Sequence, residues 1–112
     1  MDPIKPEDRR VANIHTAEFK PFLSNGKMDG EVLQLGSAAD LGKGFYIYRM
    51  APGSTTTPHQ HRGDEEFFII DGDLTDNDGT EYGPGDVVWL RDGTQHCSTT
   101  KNGCVIVVYE VP

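Results

Sequence analysis

From residue 45 to the C-terminus, short apolar runs alternate with glycine-centred turns. Residues 45–50, 66–70, 86–90, 95–99 and 104–111 are rich in aromatic and β-branched side chains, the composition of strands. Between them fall Asp71-Gly72-Asp73, Asn77-Asp78-Gly79, Gly83-Pro84-Gly85, Arg91-Asp92-Gly93 and Asn102-Gly103. Short strands punctuated this regularly predict an all-β antiparallel sandwich or barrel. No helical periodicity of useful length follows residue 25, and no internal repeat is visible.

The N-terminal part is less regular. Residues 1–10 are polar, carry two prolines and read as an arm, leaving 11–112 as a single barrel domain. In 11–23 the apolar positions Val11, Ile14, Phe19, Phe22 and Leu23 share no simple period, and Pro21 blocks a continuing helix. Turn signals follow at Asn25-Gly26 and Asp29-Gly30. Residues 31–35 then read as a short strand and 36–44 as a Gly/Ala-rich loop.

Two of the later strands lack a polar face. Phe67-Phe68-Ile69-Ile70 and Val105-Ile106-Val107-Val108 are apolar at every position, whereas a half-exposed strand alternates. The outer face therefore calls for a cover, either the N-terminal residues or a second subunit, and a homodimer is the expected arrangement. In residues 45–50, Tyr46, Tyr48 and Met50 share one parity and Phe45, Ile47 and Arg49 the other. An unpaired arginine is costly inside a barrel. Tyr46, Tyr48 and Met50 are thus expected inside, either lining a substrate pocket or packing in an ordinary core. Trp89 fits a pocket wall or a dimer interface equally well.

At 112 residues and 36% hydrophobic the chain is long enough for one core. Mean hydropathy is −0.51, no apolar run could span a bilayer, and the N-terminus lacks the apolar centre of a secretory signal. A cytoplasmic location is the expectation. The net charge of −8 has the wrong sign for a nucleic-acid backbone, so neither nucleic acid nor membrane is an expected partner. A type I′ turn at Asn102-Gly103 would set Cys97 opposite Val108, too far from Cys104 for a disulfide. A longer loop would shift that register; reduced thiols are the preferred reading.

The chemistry concentrates in residues 53–72. His59 and His61 are two apart, and Glu65 has their parity, so a single extended or gently bent segment can aim all three side chains at one point. His96 opens a strand about three strands further on, far enough for an antiparallel barrel to return it beside the first pair. His59, His61, Glu65 and His96 make a set of three imidazoles and one carboxylate, suited to Fe(II), Mn(II), Zn(II) or Ni(II). His15 lies in the irregular N-terminal segment and reads as a surface residue. Glu66 reads as facing out, with the alternative that it takes Glu65's place if the segment bends, and Cys97 as opposite in face to His96.

These residues carry a resemblance. Gly53, His59-Gln60-His61, Glu65 and Gly72 are spaced as in the first motif of the cupin superfamily. Gly85, Gln95 and His96 resemble the second, with Arg91 and Thr100 standing where that motif usually has proline and asparagine. Ala51-Pro52-Gly53, residues 62–66 and residues 74–79 further resemble the cupin domain of ChrR-type zinc-binding anti-sigma factors. The resemblance extends to stand-alone relatives such as small non-haem iron dioxygenases that cleave acetylacetone with three histidines. It implies a double-stranded β-helix, or jelly-roll, barrel and one divalent metal ion. Fe(II) is the expected ion, with zinc, manganese and nickel compatible. The function it implies is a mononuclear oxidoreductase, dioxygenase-like, acting on a small ketone, diketone or phenol. The alternative is a non-enzymatic zinc- or ligand-binding module, since a closed four-ligand site suits structural zinc and an open one suits catalysis.

Overall fold

The computed structural model describes residues 1–112 and resolves the turn-and-run pattern into eleven strands. They are β1 (Lys20–Ser24), β2 (Lys27–Leu33), β3 (Gly44–Met50), β4 (His59–Gln60), β5 (Glu65–Gly72), β6 (Leu74–Asp76), β7 (Glu81–Tyr82), β8 (Val87–Leu90), β9 (Gln95–His96), β10 (Ser98–Thr99) and β11 (Cys104–Glu110). One sheet has the order β1-β2-β3-β11-β5-β8; the other layer consists of β10-β6-β7 and the pair β4-β9. Every pairing is antiparallel. The only helical element is a 3-10 turn at Pro6–Asp8, and no helix is long and apolar enough to cross a membrane.

The core follows from strand parity. Tyr46 and Met50 of β3, Phe67 and Ile69 of β5, and Cys104, Ile106 and Val108 of β11 are all buried. Leu74 reaches them from the second layer, and the Tyr82 ring meets Phe67 edge-on at 5.4 Å. Each large side chain removed from water in this way contributes about 1.5–3 kcal/mol. Both cysteines are free; burial raises the Cys104 thiol to about 11.

The opposite parity builds a second apolar surface. Cross-strand pairing aligns Leu33, Ile47, Val107, Phe68 and Val87 in one row across five strands. Phe45, Tyr109, Glu66 and Trp89 form the neighbouring row. Ala12 and Ile14 lie against the Leu33–Ile47 end, but Phe45, Phe68, Val87, Trp89 and Tyr109 remain exposed. Arg49 also lies outside, stacked over Phe19 and paired with Glu31 at 2.7 Å.

The structure resolves four local stretches in ways the sequence pattern did not state, for identifiable reasons. Residues 20–24 form a strand despite Pro21, because β1 is a sheet edge where one missing N–H costs no ladder bond; its register shifts between Pro21 and Leu23. Asp29-Gly30 is not a turn but the middle of β2, which starts at Lys27 and ends at Leu33. The Asp29 carboxylate accepts hydrogen bonds from Thr57 N and Oγ1 at 3.0 and 2.9 Å. A Cβ on Gly30 would stand 2.7 Å from the Tyr48 ring, so the glycine makes room for an aromatic side chain. Residues 95–99 split into β9 and β10, which pair with β4 and β6 and not with β11. Asn102 accordingly lacks the positive φ of a type I′ turn, and Cys104 pairs with Met50 and Gly72.

Gly72 ends β5 with φ of 87°. A Cβ there would overlap the Gly103 carbonyl and lie 2.7 Å from Cys104 Cα, so β5 and β11 could not close. Gly79 has a similar φ but open space around it. Gly72→Ala is therefore expected to lower urea stability by about 3 kcal/mol or more, and Gly79→Ala by about 1. Equal losses would show that backbone strain alone, without the close approach, sets the cost.

Candidate metal centre

β4 and β9 pair in a register that sets His59 directly opposite His96. The chain then bends, and His61 is clamped by backbone bonds: its N–H donates to the Thr94 carbonyl at 2.9 Å, and its carbonyl accepts from Gly93 N at 3.0 Å. Two short strands and one loop thus bring three imidazoles together, with ring centroids 4.6–5.2 Å apart. One nitrogen from each ring lies within 4.8 Å of the others, a spacing that could hold a metal ion.

The hydrogen bonds decide which nitrogens these are. His59 Nδ1 lies 2.9 Å from the Thr57 carbonyl, which can only accept, so Nδ1 carries the proton. His61 Nδ1 lies 3.1 Å from Thr94 Oγ1. That hydroxyl already donates to the Arg91 carbonyl at 2.8 Å, so it too accepts. His96 Nδ1 lies 3.0 Å from Asp76 Oδ1, again an acceptor. All three Nδ1 atoms are assigned as N–H by their partners, and all three Nε2 lone pairs are left over. His61 Nε2 is fully buried without a hydrogen-bond partner, a costly condition unless the atom has a ligand to bind. The donor set fits a divalent transition ion bound through neutral imidazoles.

Asp76 was not legible as a site residue. Its Oδ1 accepts from His96 Nδ1 and from Ser98 Oγ at 2.6 Å, and its Oδ2 from the Tyr82 hydroxyl at 2.7 Å. Burial alone would push its carboxyl up, but these three donors outweigh it and hold the value at about 2. A carboxylate behind a ligating histidine fixes the ring and raises its basicity.

Glu65 reaches the cluster across a bend in the chain. The segment is not one extended strand: β4 ends at Gln60, the chain bends at Arg62-Gly63, and Glu65 opens β5. Glu65 Oε2 lies 3.3 Å from His61 Nε2, but Glu65 is not in the group formed by the three histidines. Its approach makes no hydrogen bond. The neighbouring carboxylate nevertheless raises the His61 pKa, against the lowering effect of burial, so a proton and a metal ion compete for this nitrogen. Glu66 is exposed. His15 is exposed in the N-terminal segment, and Cys97 is half-buried, its N–H bonded to Asn77.

A cavity of about 230 Å³ opens inward from His59 and His96. Tyr46, Tyr48 and Met50 are in its wall, with Phe22, Phe67, Leu74, Ile106 and Val108. The Tyr46 hydroxyl donates to Glu110 Oε2 at 2.9 Å, and Lys43 Nζ meets Glu110 Oε1 at 3.2 Å. The Tyr48 hydroxyl donates to the Asp29 carbonyl. Burial, reinforced by Glu110 for Tyr46 and by Asp29 for Tyr48, raises both phenols. Glu110 went unnoticed in the sequence, although it shares the parity of Ile106 and Val108. Trp89 lies on the outer face, its Nε1 3.3 Å from Asp64 Oδ2.

Two facing antiparallel layers that gather histidines from β4 and β9 at the mouth of an apolar cavity define a cupin. The chain belongs to the family of the ChrR Cupin-like domain, which matches residues 7–112. Among curated proteins no sequence matches. Solved structures of similar fold include Rhodobacter sphaeroides SigE in complex with the anti-sigma ChrR, at TM-score 0.66 and 16% identity, covering 86% of this chain and 50% of that one. This chain thus spans half the length of that relative. The polyketide cyclase RemF from Streptomyces resistomycificus aligns at 0.74 and 19% identity, over 93% of this chain and 80% of that one. An acetylacetone dioxygenase from Acinetobacter johnsonii aligns at 0.70 and 16%, over 99% and 80%. At these identities the likeness is one of fold.

With Asp76 replaced by asparagine, His96 loses its anionic partner while the packing volume is kept. Asp76→Asn is expected to weaken metal binding about 10- to 100-fold, read by competition with a chromogenic chelator. Unchanged affinity would mean that Asp76 serves only the β6–β10 contact.

Proposed function

We propose that the chain is a mononuclear metal-dependent oxidoreductase of the dioxygenase kind, acting on a small ketone, diketone or phenol. The observation that carries this reading is the convergence of one nitrogen from each of three histidines, within 4.8 Å of one another, at the mouth of a largely apolar cavity. His59, His61 and His96 would hold the ion, and Glu65 stands close enough to His61 to join them. Fe(II) suits three imidazoles with positions left for substrate and oxygen. The bound ion would supply Lewis-acid and redox chemistry. The chain would supply ligation, a dry cavity, and the Tyr46 and Tyr48 hydroxyls beside the substrate. Acetylacetone cleavage is the activity named for one structural neighbour, and that neighbour guides the first substrates to try.

The ChrR family match supports a second reading, a zinc- or ligand-binding module in which Glu65 completes a four-ligand set. Elemental analysis of protein purified without added metal, beside His96→Ala, separates the two. Iron, manganese or nickel that is lost in His96→Ala, together with oxygen uptake on a diketone, is the expected result. Tightly held zinc without an exchangeable water would favour the module. No metal in either protein would remove both.

The working form we propose is a homodimer formed through the outer face of the six-stranded sheet. Phe45, Phe68, Val87, Trp89 and Tyr109 expose several hundred Å² of mostly apolar surface, the order of one partner's share in a standard interface. The N-terminal residues cover only the β2–β3 end. Light scattering is expected to give twice the 12.4 kDa chain mass, and Phe68→Glu to halve it with the fold retained. A wild-type monomer at micromolar concentration would overturn the dimer.

A further inference from the structure

Register places Glu65 and Glu110 directly opposite each other on β5 and β11. Both side chains share the inward parity of Phe67 and Val108, and both line the cavity, as does Asp29. Like charges set opposite one another across a ladder are destabilising. Here they sit in a pocket with an apolar wall, where their interaction is less screened than at the surface. Glu110 is met by the Tyr46 hydroxyl and by Lys43, and Asp29 by Thr57. Lys43 approaches from outside the wall, and no lysine or arginine lines the cavity. At the mouth, His61 Nε2 is buried and unpartnered, which marks the place where a ligand sphere begins.

We infer that this cavity selects neutral or cationic molecules that carry hydroxyl or amino donors on an apolar frame, that it rejects carboxylates, and that Glu110 is the residue that sets this selectivity. Three carboxylates face the ligand. A divalent ion on neutral imidazoles would balance two of those charges and Lys43 the third, so the cavity wall holds no surplus positive charge to take up a carboxylate. An O–H or N–H group on the ligand gives Glu110 a further donor for its free lone pairs, whereas a carboxylate on the ligand offers none and repels it. The chain's net charge of −8 acts in the same direction at longer range. This inference rests on reading the cavity as the ligand site and gives the substrate class a sign of charge.

Benzamidine, benzamide and benzoate are nearly the same shape and differ in charge, so they isolate this effect. Calorimetric titration of each into the metal-loaded full chain is expected to give benzoate at least tenfold weaker than benzamide, with benzamidine at least as tight as benzamide. Glu110→Gln is expected to shrink the ratio of benzoate to benzamidine Kd at least tenfold, with metal content unchanged. Glu66→Gln removes the same formal charge from the exposed neighbour of Glu65 and is expected to leave that ratio within twofold. The inference is overturned if benzoate binds wild type as tightly as benzamide, or if none of the three binds. It is equally overturned if Glu66→Gln moves the ratio as far as Glu110→Gln does, since net charge would then be the cause. Metal content is read on the same samples. Discrimination retained in a protein that holds no redox-active ion would sink the oxidoreductase reading and leave this one standing.

Discussion

Everything at the mouth of this barrel depends on where three protons sit. A histidine offers two nitrogens, and a cluster of histidines binds nothing well unless the right one of each pair is free. Here a backbone carbonyl, a threonine hydroxyl already committed as a donor, and a buried carboxylate each claim an Nδ1 proton. The three acceptors come from unrelated parts of the chain: the residue two before His59, the turn after β8, and the strand β6. Loop, turn and strand must all be in place before the three Nε2 atoms are directed to one point. The fold of the second layer and the chemistry of the site are therefore the same problem.

The barrel works as a surface with two apolar sides. Strand parity sends Tyr46, Met50, Phe67, Ile69, Ile106 and Val108 into the core, and Ile47, Phe68 and Val107 to the opposite face. Antiparallel sheets that meet water on one side alternate apolar and polar residues, and β5 and β11 do not. Within the core, Tyr46, Glu65 and Glu110 gather near one end of β3, β5 and β11, while the other end closes on Met50 and Cys104. The cavity is thus polarised along its length by nothing more than which residues occupy alternate positions on two paired strands.

Much of this was written locally. The runs 66–70 and 104–111 stated their strands, and Arg49 beside Tyr46, Tyr48 and Met50 fixed which side faces inward. His59, His61 and His96 could be grouped by spacing before any coordinates. What stayed hidden depended on pairing between distant segments. Asp29-Gly30 has turn composition, yet its residues serve Thr57 and Tyr48, which the local sequence does not reveal. Pro21 argues against a strand only where both edges are paired. Asn102-Gly103 looks like a hairpin, but the strands it joins belong to different sheets. Asp76 is an unremarkable acidic residue in a row of polar ones until His96, Ser98 and Tyr82 are known to surround it. Glu65 comes to stand beside His61 across the bend at residues 62–63, as a gently bent segment allows.

The bond pair from Asp29 to Thr57 has a consequence for motion. Asp29 belongs to the hairpin β1–β2, whose Phe22 and Ser24 help to close the cavity, and Thr57 lies two residues before His59. The carboxylate grips both the amide and the hydroxyl of Thr57, so the hairpin cannot swing away without releasing the segment whose carbonyl pins the His59 ring. Lifting the hairpin and loosening the His59 ring are then a single opening event with a shared free energy. Access to the cavity mouth and order in the three-histidine cluster would be timed together, by one fluctuation of the hairpin.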